Sequence, residues 1–327
     1  MTARLRDVAE HAGVSVRTVS NVVNGFQYVA PDTRTRVQAS IDALGYRPNL
    51  AARTLRRGRT GLISLVVPEI DSPYFAELAA RTVRIAQQRG LTVLIDQTDG
   101  DFERERLLLH GKRGQLVDGV LFSPWAVGPA DLAARTDTVP LVLLGEHDAT
   151  APVDHVAIDN VAASRDATRH LLETGRRRIA VIGVQPHTLN ASARQRLAGY
   201  RQELTAFGLA PSPQLERPVR RLHREDGYRA MLDLLDTTTP DAVFCFTDQL
   251  ALGALRALAD RGLAVPQDVA IVGFDDIEDG RYSVPTLTTV SPDKDRIAEL
   301  ALDALAVQGE QPRSIVAPHE LVVRAST

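Results

Sequence analysis

The sequence predicts a small all-α helix-turn-helix head followed by an α/β body of two doubly wound lobes. Three observations support this fold class. Two short apolar helical stripes, separated by a glycine, lie within the first 24 residues. From residue 62 onward, short β-branched runs alternate with amphipathic helical stretches, and this pattern occurs twice in series. The 327 residues also suffice for a small head and two units of domain size.

The first two predicted helices lie on either side of a tight turn. The apolar residues of the first helix fall at i, i+3, i+4 and i+7, namely Leu5, Val8, Ala9 and Ala12. Gly13 suits the C-terminus of this helix, and Ser15 suits the N-cap of the next one. Val16, Val19 and Val23 supply a second stripe. Two helices joined by a turn, with a polar outer face, form the helix-turn-helix pattern.

A third helix is predicted over residues 31–44. Pro31 suits its first position and Gly45 suits its end. Its N-cap would be Ala30, a poor capping residue that costs about 0.5–2 kcal/mol relative to serine. The basic run that follows can form only a short helix, which is marginal alone because helix nucleation is costly. We therefore interpret residues 47–61 as a hinge helix and linker that becomes ordered on binding.

The charge of the chain is divided unevenly between head and body. The first sixty residues contain ten arginines and four acidic residues, which gives a net charge of +6. The whole chain carries −3, so −9 is left for residues 61–327. A basic head on an acidic body is expected when only the head meets phosphate groups. The charge therefore favours a DNA-binding head over two small helices of an ordinary α domain.

The body shows the strand and helix alternation of parallel βαβ units. The predicted strands are Leu62–Val67, Thr92–Ile95, Gly119–Phe122, Leu141–Leu144, Ile179–Val184, Val243–Thr247 and Val269–Phe274. Ligands bind beyond the carboxyl ends of strands in open α/β sheets, so a cleft between the lobes is the predicted small-molecule site. The predicted domains are a head of 1–46, a hinge and linker of 47–61 and a body of 62–327, whose N-lobe takes about 62–159 and 291–317 and whose C-lobe takes about 160–290 and 318–327.

Several protein classes are disfavoured by composition and motifs. No apolar run approaches the roughly 20 residues of a membrane span, and the first residues lack the apolar core of a signal peptide. Cys245 is the only cysteine and lies in an apolar run, which predicts a buried thiol rather than a nucleophile. There is no nucleotide-binding loop, nucleophile elbow or metal-ligand spacing. We expect a cytoplasmic protein without cofactor or metal that is not an enzyme.

Several local strings, in order along the chain, resemble the lac repressor and purine repressor (LacI/GalR) family of bacterial transcription regulators. They are Asp7-Val-Ala-Glu-x-Ala-Gly-Val-Ser15, Thr18-Val-Ser-x-Val-Val-Asn24, Gly45-Tyr-x-Pro-Asn49, Val272-Gly-Phe-Asp-Asp276 and Pro285-x-Leu-Thr-Thr289. Each string alone is weak to moderate, but their common order covers essentially the full chain. The resemblance implies a periplasmic-binding-protein-like body behind the head.

The resemblance places the second helix in the major groove of DNA. Arg17 can bond guanine and Asn21 can bond adenine, each through two hydrogen bonds. Val16 offers a methyl contact to thymine, or else it packs within the head. The remaining predicted contacts of this helix fix phosphates and give register rather than sequence information. They come from Ser15, Thr18 and Ser20.

In this family, residues corresponding to 48–55 form a hinge helix that pairs with its dimer mate in the minor groove. Leu55 matches the leucine that wedges between central base pairs and kinks DNA by partial unstacking. The alternative is an ordinary hinge leucine that covers the body. Asn49 and Ala52 are the other predicted DNA contacts of this segment.

The resemblance also identifies cleft residues in loops that follow strands. Ser72, Tyr74 and Phe75 resemble the Tyr-Phe pair of the purine repressor. Arg196 matches a ligand-gripping arginine, and Asp275 matches an acid that takes ligand hydroxyl or amine protons; capping of the next turn is its alternative role. The second-tier candidates are Ser123, Trp125, Thr247 and Asp248. An arginine with acids and aromatic walls suits a polyhydroxylated sugar.

The predicted function is a dimeric repressor of a carbohydrate-use operon, controlled by a small-molecule effector. Its expected partners are a pseudo-palindromic operator in double-stranded DNA, a sugar and a second copy of the chain, with no membrane. A nucleobase, a nucleoside or a sugar phosphate is the alternative effector. No leucine heptad follows the last predicted strand, Glu320–Val323, which favours a dimer. Two other classes of protein are disfavoured. A sugar-binding protein without a DNA role would not need the basic head, and the sequence contains no visible motif of an α/β enzyme.

Overall fold

The structure, a computed structural model, describes residues 3–23, 26–46, 59–110, 116–145, 152–186, 190–307, 309 and 311–327. The chain forms two units, Met1–Thr60 and Gly61–Thr327. The described helices are α1 (Leu5–Ala12), α2 (Val16–Val23), α3 (Pro31–Leu44), α4 (Pro73–Gln88), α5 (Phe102–His110), α6 (Pro129–Ala133), α7 (Asn160–Glu173), α8 (Ala191–Ala206), α9 (Arg224–Thr237), α10 (Asp248–Asp260), α11 (Glu278–Tyr282) and α12 (Lys294–Ala306). The described strands are β1 (Leu62–Val67), β2 (Thr92–Gln97), β3 (Val120–Phe122), β4 (Leu141–Leu144), β5 (Asp154–Ile158), β6 (Ile179–Val184), β7 (Glu216–Pro218), β8 (Ala242–Cys245), β9 (Ala270–Phe274), β10 (Thr288–Pro292), β11 (Ser314–Ala317) and β12 (His319–Val322).

The head packs three helices around a small apolar core. Val8 of α1, Val19 of α2 and Val37 of α3 are fully buried and belong to one cluster. The helix α3 follows Ala30, carries proline in its first turn and ends at Gly45, whose φ of 58° lies in the left-handed region. The three predicted helices of the head are therefore confirmed.

The body contains two six-stranded sheets with the same strand order. The first sheet runs β2-β1-β3-β4-β5-β11, and the second runs β7-β6-β8-β9-β10-β12. All pairs of adjacent strands are parallel except β10 with β12. In each sheet the first strand of the lobe lies between the second and the third, which is the doubly wound arrangement. The predicted fold class is confirmed.

The chain passes between the two sheets after β5, after β10 and after β11. The helix α7 packs on α8 and on β10 and β12, whereas α12 packs on α4 and on β4 and β5. The second sheet is thus completed by segments that lie far apart in sequence. The loops at the carboxyl ends of both sets of parallel strands can therefore line a common cleft.

The central strands of the body are buried because helices cover both faces of each sheet. Every residue of β8 and β9 is buried. Cys245 of β8 is fully buried, and burial raises the pKa of its thiol, so the predicted structural role is confirmed. No described helix is long and apolar enough to cross a membrane. Among the residues that the structure describes, no three His, Cys, Asp or Glu side chains are arranged so that they could hold a metal ion.

Candidate nucleic-acid interface and effector cleft

The turn between α1 and α2 is closed at both ends by local hydrogen bonds. Gly13 adopts a φ of 65° at the end of α1, and the N–H of Val14 donates to the carbonyl of Ala9 at 3.0 Å. At the start of α2, Ser15 Oγ accepts the N–H of Thr18 at 3.1 Å. Glycine supplies the left-handed turn and serine supplies the cap. The predicted helix-turn-helix geometry is confirmed.

The helix α2 turns one face to the core of the head and the other outward. Val19 and Val22 are buried and Val23 packs beside them, whereas Val16 is 44% exposed. The predicted second stripe is therefore confirmed for Val19 and Val23, whereas Val16 is not buried and Val22 takes part instead. At 100° per residue, Val16 projects within about 20° of Val23, and it is the first residue of α2. Both interpretations of Val16, packing within the head and a contact to thymine, stay predictions.

The other predicted DNA contacts of α2 lie around this outward face. Arg17 is exposed, and Asn21 is half-buried on the same helix. The remaining predicted phosphate contacts are exposed or half-buried, and these are Ser15, Thr18 and Ser20. The three hinge residues predicted to reach DNA lie outside the described residues, and these are Asn49, Ala52 and Leu55. All these DNA contacts stay predictions.

A cleft lies between the two sheets of the body, at the carboxyl ends of their parallel strands. Eight of the nine predicted effector residues line it, namely Ser72, Tyr74, Phe75, Ser123, Trp125, Arg196, Thr247 and Asp275. The first five come from the lobe built on the first sheet, and the last three come from the other lobe. A ligand in this cleft would therefore contact both lobes.

Arg196 of α8 is held at the floor of the cleft by several groups. Its Nε donates to Asn160 Oδ1 at 2.6 Å, and Nη1 donates to the carbonyl of Phe246. Its guanidinium carbon lies 3.5 Å from the ring centroid of Phe274. A guanidinium has five N–H donors, so these contacts orient the group while donors are left for a ligand. Nη2 lies 3.9 Å from Asp275 Oδ1.

Asp275 combines a buried carboxylate with an unusual backbone. It is 7% exposed, and its φ of 108° lies in a region that costs a residue with a side chain about 1–3 kcal/mol. The first N–H groups of the following turn bond other carboxylates, since Ile277 donates to Asp248 and Glu278 donates to Glu77. Two N–H groups of this turn thus have carboxylate acceptors other than Asp275.

An aromatic wall faces this charged floor. Tyr74 and Phe75 begin α4, and their ring centroids lie 5.2 Å apart in an edge-to-face arrangement. Phe75 also meets Trp125 edge-to-face at 6.0 Å. Aromatic rings in such pairs gain about 0.5–1.5 kcal/mol beyond the burial of their area. The wall is therefore a packed unit rather than three separate side chains.

Asp248 lies outside the cleft, and its predicted role as an effector contact is corrected. It is fully buried at the start of α10, where Oδ1 accepts the hydroxyl of Thr289 at 2.6 Å and Oδ2 accepts the N–H of Ile277 at 2.9 Å. Gly273 permits this close approach, because a Cβ there would lie 2.1 Å from Asp248 Oδ1. Burial, together with the negative charge of Asp275, raises the pKa of Asp248 well above its usual value.

Contacts between the lobes involve residues that sequence reasoning missed. His223 Nε2 and Glu69 Oε2 lie 2.8 Å apart, and Glu69 also lines the cleft. Lys294 Nζ donates to Glu77 Oε2 at 2.9 Å and to the carbonyl of Asp276 at 3.0 Å. The two bonds of Lys294 connect α4, which begins the aromatic wall, to the loop that carries the acidic pair at 275 and 276. Isolated charges give no signal of such pairing in the sequence.

Comparison with known proteins agrees with both parts of the chain. Residues 4–49 match the lacI family of bacterial regulatory proteins, and residues 168–327 match the periplasmic binding protein-like domain. The HTH-type transcriptional repressor PurR of Escherichia coli O1:K1 / APEC is 34% identical over 333 residues. That alignment covers 99% of this chain and 96% of PurR.

Two solved structures extend the similarity over the whole chain. A crystal structure of the lac repressor dimer bound to operator and the anti-inducer ONPF has a TM-score of 0.86 and 29% identity, covering 100% of this chain and 99% of that one. The transcriptional regulator CelR in complex with cellobiose has a TM-score of 0.73 and 32% identity, covering 99% of this chain and 100% of CelR. The similarity thus includes a head and a body in both cases.

Proposed function

This chain belongs to the lacI family of bacterial regulatory proteins and is a DNA-binding transcriptional repressor, and we propose that a sugar bound in its cleft controls its affinity for an operator. It is a regulator and not an enzyme. The observation that carries the proposal is the charged pair of Arg196 and Asp275 opposite the aromatic wall. The regulated genes would then serve carbohydrate use.

The chemistry of the cleft matches a polyhydroxylated ring. A carboxylate accepts hydroxyl protons and a guanidinium donates to hydroxyl oxygens, and such charge-assisted bonds are roughly twice as strong as neutral ones. Aromatic rings cover the apolar face of a sugar ring. Arg196 and Asp275 are nearly buried, at 12% and 10% side-chain exposure, so a bound hydroxyl would be shielded from water. The CelR complex with cellobiose gives further support for a sugar.

A nucleobase, a nucleoside or a sugar phosphate is the alternative effector for the same cleft. Arg194 lies in the first turn of α8, two residues before Arg196, where it is exposed and also lines the cleft. A second cation at this position favours the sugar phosphate among these alternatives, because a phosphate takes more than one positive partner. A ligand panel that pairs each sugar with its phosphate separates the two effector classes.

In the head, we assign base recognition to Arg17 and Asn21 and a thymine methyl contact to Val16. The exposure of Arg17 and Val16 on the outward face of α2 supports this assignment. Arginine bonds guanine and asparagine bonds adenine through paired hydrogen bonds in the major groove. The hinge leucine at position 55 would kink the central step of the operator by partial unstacking.

The proposed assembly is a homodimer that reads a pseudo-palindromic operator. The edge strand β2 exposes Leu94 and Ile95 at 45% and 46%, and the other lobe exposes Tyr282 and Val284 at 78% and 94%. Exposed apolar side chains on both lobes suit burial against a second copy. The related lac repressor is a dimer on its operator. Two heads related by a twofold axis would read two half-sites.

The proposed effector class is tested by thermal unfolding of the full chain in the presence of sugars, sugar phosphates and nucleobases. A ligand that binds only the folded state raises the melting temperature, by an amount that grows with its concentration. We expect cellobiose or another sugar to stabilise the protein and nucleobases to leave it unchanged. Stabilisation by a nucleobase alone would overturn the proposed effector class.

A further inference from the structure

The loop that forms one side of the cleft is held from behind by a single buried carboxylate. Glu105 of α5 is fully buried. Its Oε1 accepts the N–H of Trp125 at 2.8 Å, and its Oε2 accepts the N–H groups of Ala126 and Val127 at 2.8 and 2.9 Å. The hydroxyl of Thr98 lies 3.4 Å from Oε1. Three successive N–H groups converging on one anion form a concave binding site for that anion.

The residues that this carboxylate binds belong to the cleft itself. Ser123, Trp125 and Val127 all line the cleft, and they lie on the segment between β3 and α6. The ring of Trp125 is in turn confined by its neighbours. It meets Phe75 edge-to-face, and a Cβ on Gly100 would lie only 3.1 Å from Trp125 Cε3. The backbone near Trp125 is therefore held by Glu105, and its ring is confined by Phe75 and by the backbone at Gly100.

We propose that Glu105 is a positioning residue for effector binding, which sets the place of Trp125 and of the loop around it before any ligand enters. This inference rests on the proposed function, because it concerns one side of the cleft in which the effector is proposed to bind. Glu105 does not line the cleft and acts only through the backbone of residues 125–127. Charge-assisted hydrogen bonds to a buried carboxylate are strong. The loop around Trp125 therefore has its binding conformation before a ligand enters.

The substitution Glu105→Gln removes the charge and keeps the size of the side chain. An amide has one acceptor oxygen and an NH2 group, so it cannot accept all three N–H groups through two oxygens. At least one N–H then faces a donor, and a buried donor without a partner is costly. The segment that carries Trp125 must shift or open.

Trp125 is the only tryptophan of the chain, so its fluorescence reports on this segment alone. The matched control is Glu203→Gln, because Glu203 is a second buried carboxylate, 2% exposed, that binds Arg165 and Arg169 in the other lobe. Both variants lose charge-assisted bonds of a buried carboxylate. Only the first is expected to change the surroundings of Trp125.

The experiment is acrylamide quenching of Trp125 in the full chain, well below the unfolding temperature and without ligand. We expect Glu105→Gln to shift the emission to longer wavelength and to raise the quenching constant, while Glu203→Gln matches wild type. Equal quenching in all three proteins would overturn the proposal. If Glu105→Gln does not fold, Thr98→Val replaces it, because this substitution removes the hydroxyl that lies beside Glu105 Oε1. We expect a smaller increase of the quenching constant in Thr98→Val, and a wild-type quenching constant in that variant would equally overturn the proposal.

A titration with cellobiose separates failure of this inference from failure of the proposed function. Where wild type binds cellobiose, Glu105→Gln should weaken binding about tenfold, the equivalent of one lost charge-assisted bond. Unchanged cellobiose affinity in a variant with raised quenching would overturn the role in binding. If wild type does not bind cellobiose, the titration uses the sugar that gives the largest thermal stabilisation. Absence of binding by every sugar would count against the effector class, while the acrylamide result still decides whether Glu105 positions Trp125.

Discussion

The head and the cleft present their recognition groups in opposite ways. In the head, Arg17 and Val16 stand outward from a helix whose other face is buried, within a segment of net charge +6. In the cleft, Arg196 and Asp275 are nearly buried and already lie near each other and near other polar groups. The head thus offers separate exposed contacts, whereas the cleft offers a linked network that a ligand must join.

This difference determines how each region responds to change. Exposed groups that each contact a different part of DNA contribute nearly independently to the free energy of operator binding, because substitutions at distant sites are nearly additive. Members of a buried polar network depend on one another, because the loss of one member leaves its partners unsatisfied. We therefore expect single substitutions in the head to weaken operator binding by small amounts, and single substitutions in the cleft to abolish effector binding.

The largest expected contrast is the response to salt. Operator binding through 6–10 phosphate contacts should weaken by about 10³–10⁵ between 50 and 200 mM salt, because each contact releases counterions. Sugar binding in the cleft should change little, since buried charge pairs are screened far less than exposed ones. Both affinities are measured on the same preparation across this range. A shallow operator slope would contradict phosphate recognition by the basic head.

Removal of Arg196 tests the network in the cleft. Arg196→Ala removes the hydrogen bonds that Arg196 donates to Asn160 and to the carbonyl of Phe246, and it removes the cation that lies beside Asp275. Truncation of one member of a buried charge pair costs about 2–5 kcal/mol, so the effector response should be lost. Isothermal titration with the sugar measures this effect.

The matched control lies on the same helix. Arg201→Ala removes an arginine of α8 that pairs with Glu216, 2.5 Å away, outside the cleft. Its sugar affinity should stay at the wild-type value. Loss of sugar binding in both variants would assign the effect to α8 as a whole rather than to the cleft.

The pH dependence of stability should have opposite signs for two buried aspartates, Asp276 and Asp248. Asp276 bonds Arg324 at 2.6 Å and Arg281 at 3.0 Å. Burial alone would raise its pKa, but these arginines lower the pKa of Asp276 below its usual value. Asp276 therefore stabilises the folded state fully at pH values above about 3.9, the ordinary pKa of aspartate. This stabilisation is lost as the pH falls through the lowered pKa of Asp276. For Asp248, with a raised pKa, stability is lost as pH rises from about 3.9 toward that pKa.

Urea unfolding between pH 3 and 8 measures both effects. Asp276→Asn should lose about 3 kcal/mol at neutral pH, because two arginines are left without their buried partner. Asp248→Asn should lose less, and its stability should fall less steeply with rising pH than that of wild type. A larger loss at neutral pH in Asp248→Asn than in Asp276→Asn would contradict the assigned charge states.

The smallest effect is expected for a single base contact in the head. Arg17→Ala should cost about 1–3 kcal/mol of operator affinity and relax specificity at one base position. Arg36→Ala, which removes an exposed arginine of α3, serves as the control for loss of charge alone. Binding to operators with each base changed in turn distinguishes the two. Uniform weakening without relaxed specificity would assign Arg17 to a phosphate.

Much of this structure could be predicted because the local signals agree with the fold. Glycine at position 13 and serine at 15 mark the turn of the head, and apolar runs mark the central strands of both sheets. The strand β5 gave no such signal, since it begins with Asp154 and His155. Asp154 is buried there only because Arg313, far along the chain, bonds its carboxylate. Such a partner is invisible to local pattern.

The cleft residues were predicted less completely, for the same physical reason. Position after a strand brought both Asp275, as a leading candidate, and Asp248, as a second-tier one, into consideration, but of the two only Asp275 lines the cleft. Asp248 is withdrawn by bonds to Thr289 and Ile277, which depend on the packing of distant elements. Likewise, Glu105 gave no signal in sequence, because its partners are backbone N–H groups of another loop. Local sequence specifies where a residue lies on an element but not which neighbours pack against it.

The most direct test of an operator-binding repressor controlled by a sugar is the operator affinity of the full chain with and without saturating sugar. The sugar is the one that gives the largest thermal stabilisation. We predict that it changes operator affinity by roughly 5–150-fold, and that operator DNA changes sugar affinity by the same factor, because coupling between sites is reciprocal. Equal operator affinity at zero and saturating sugar would contradict control through the cleft.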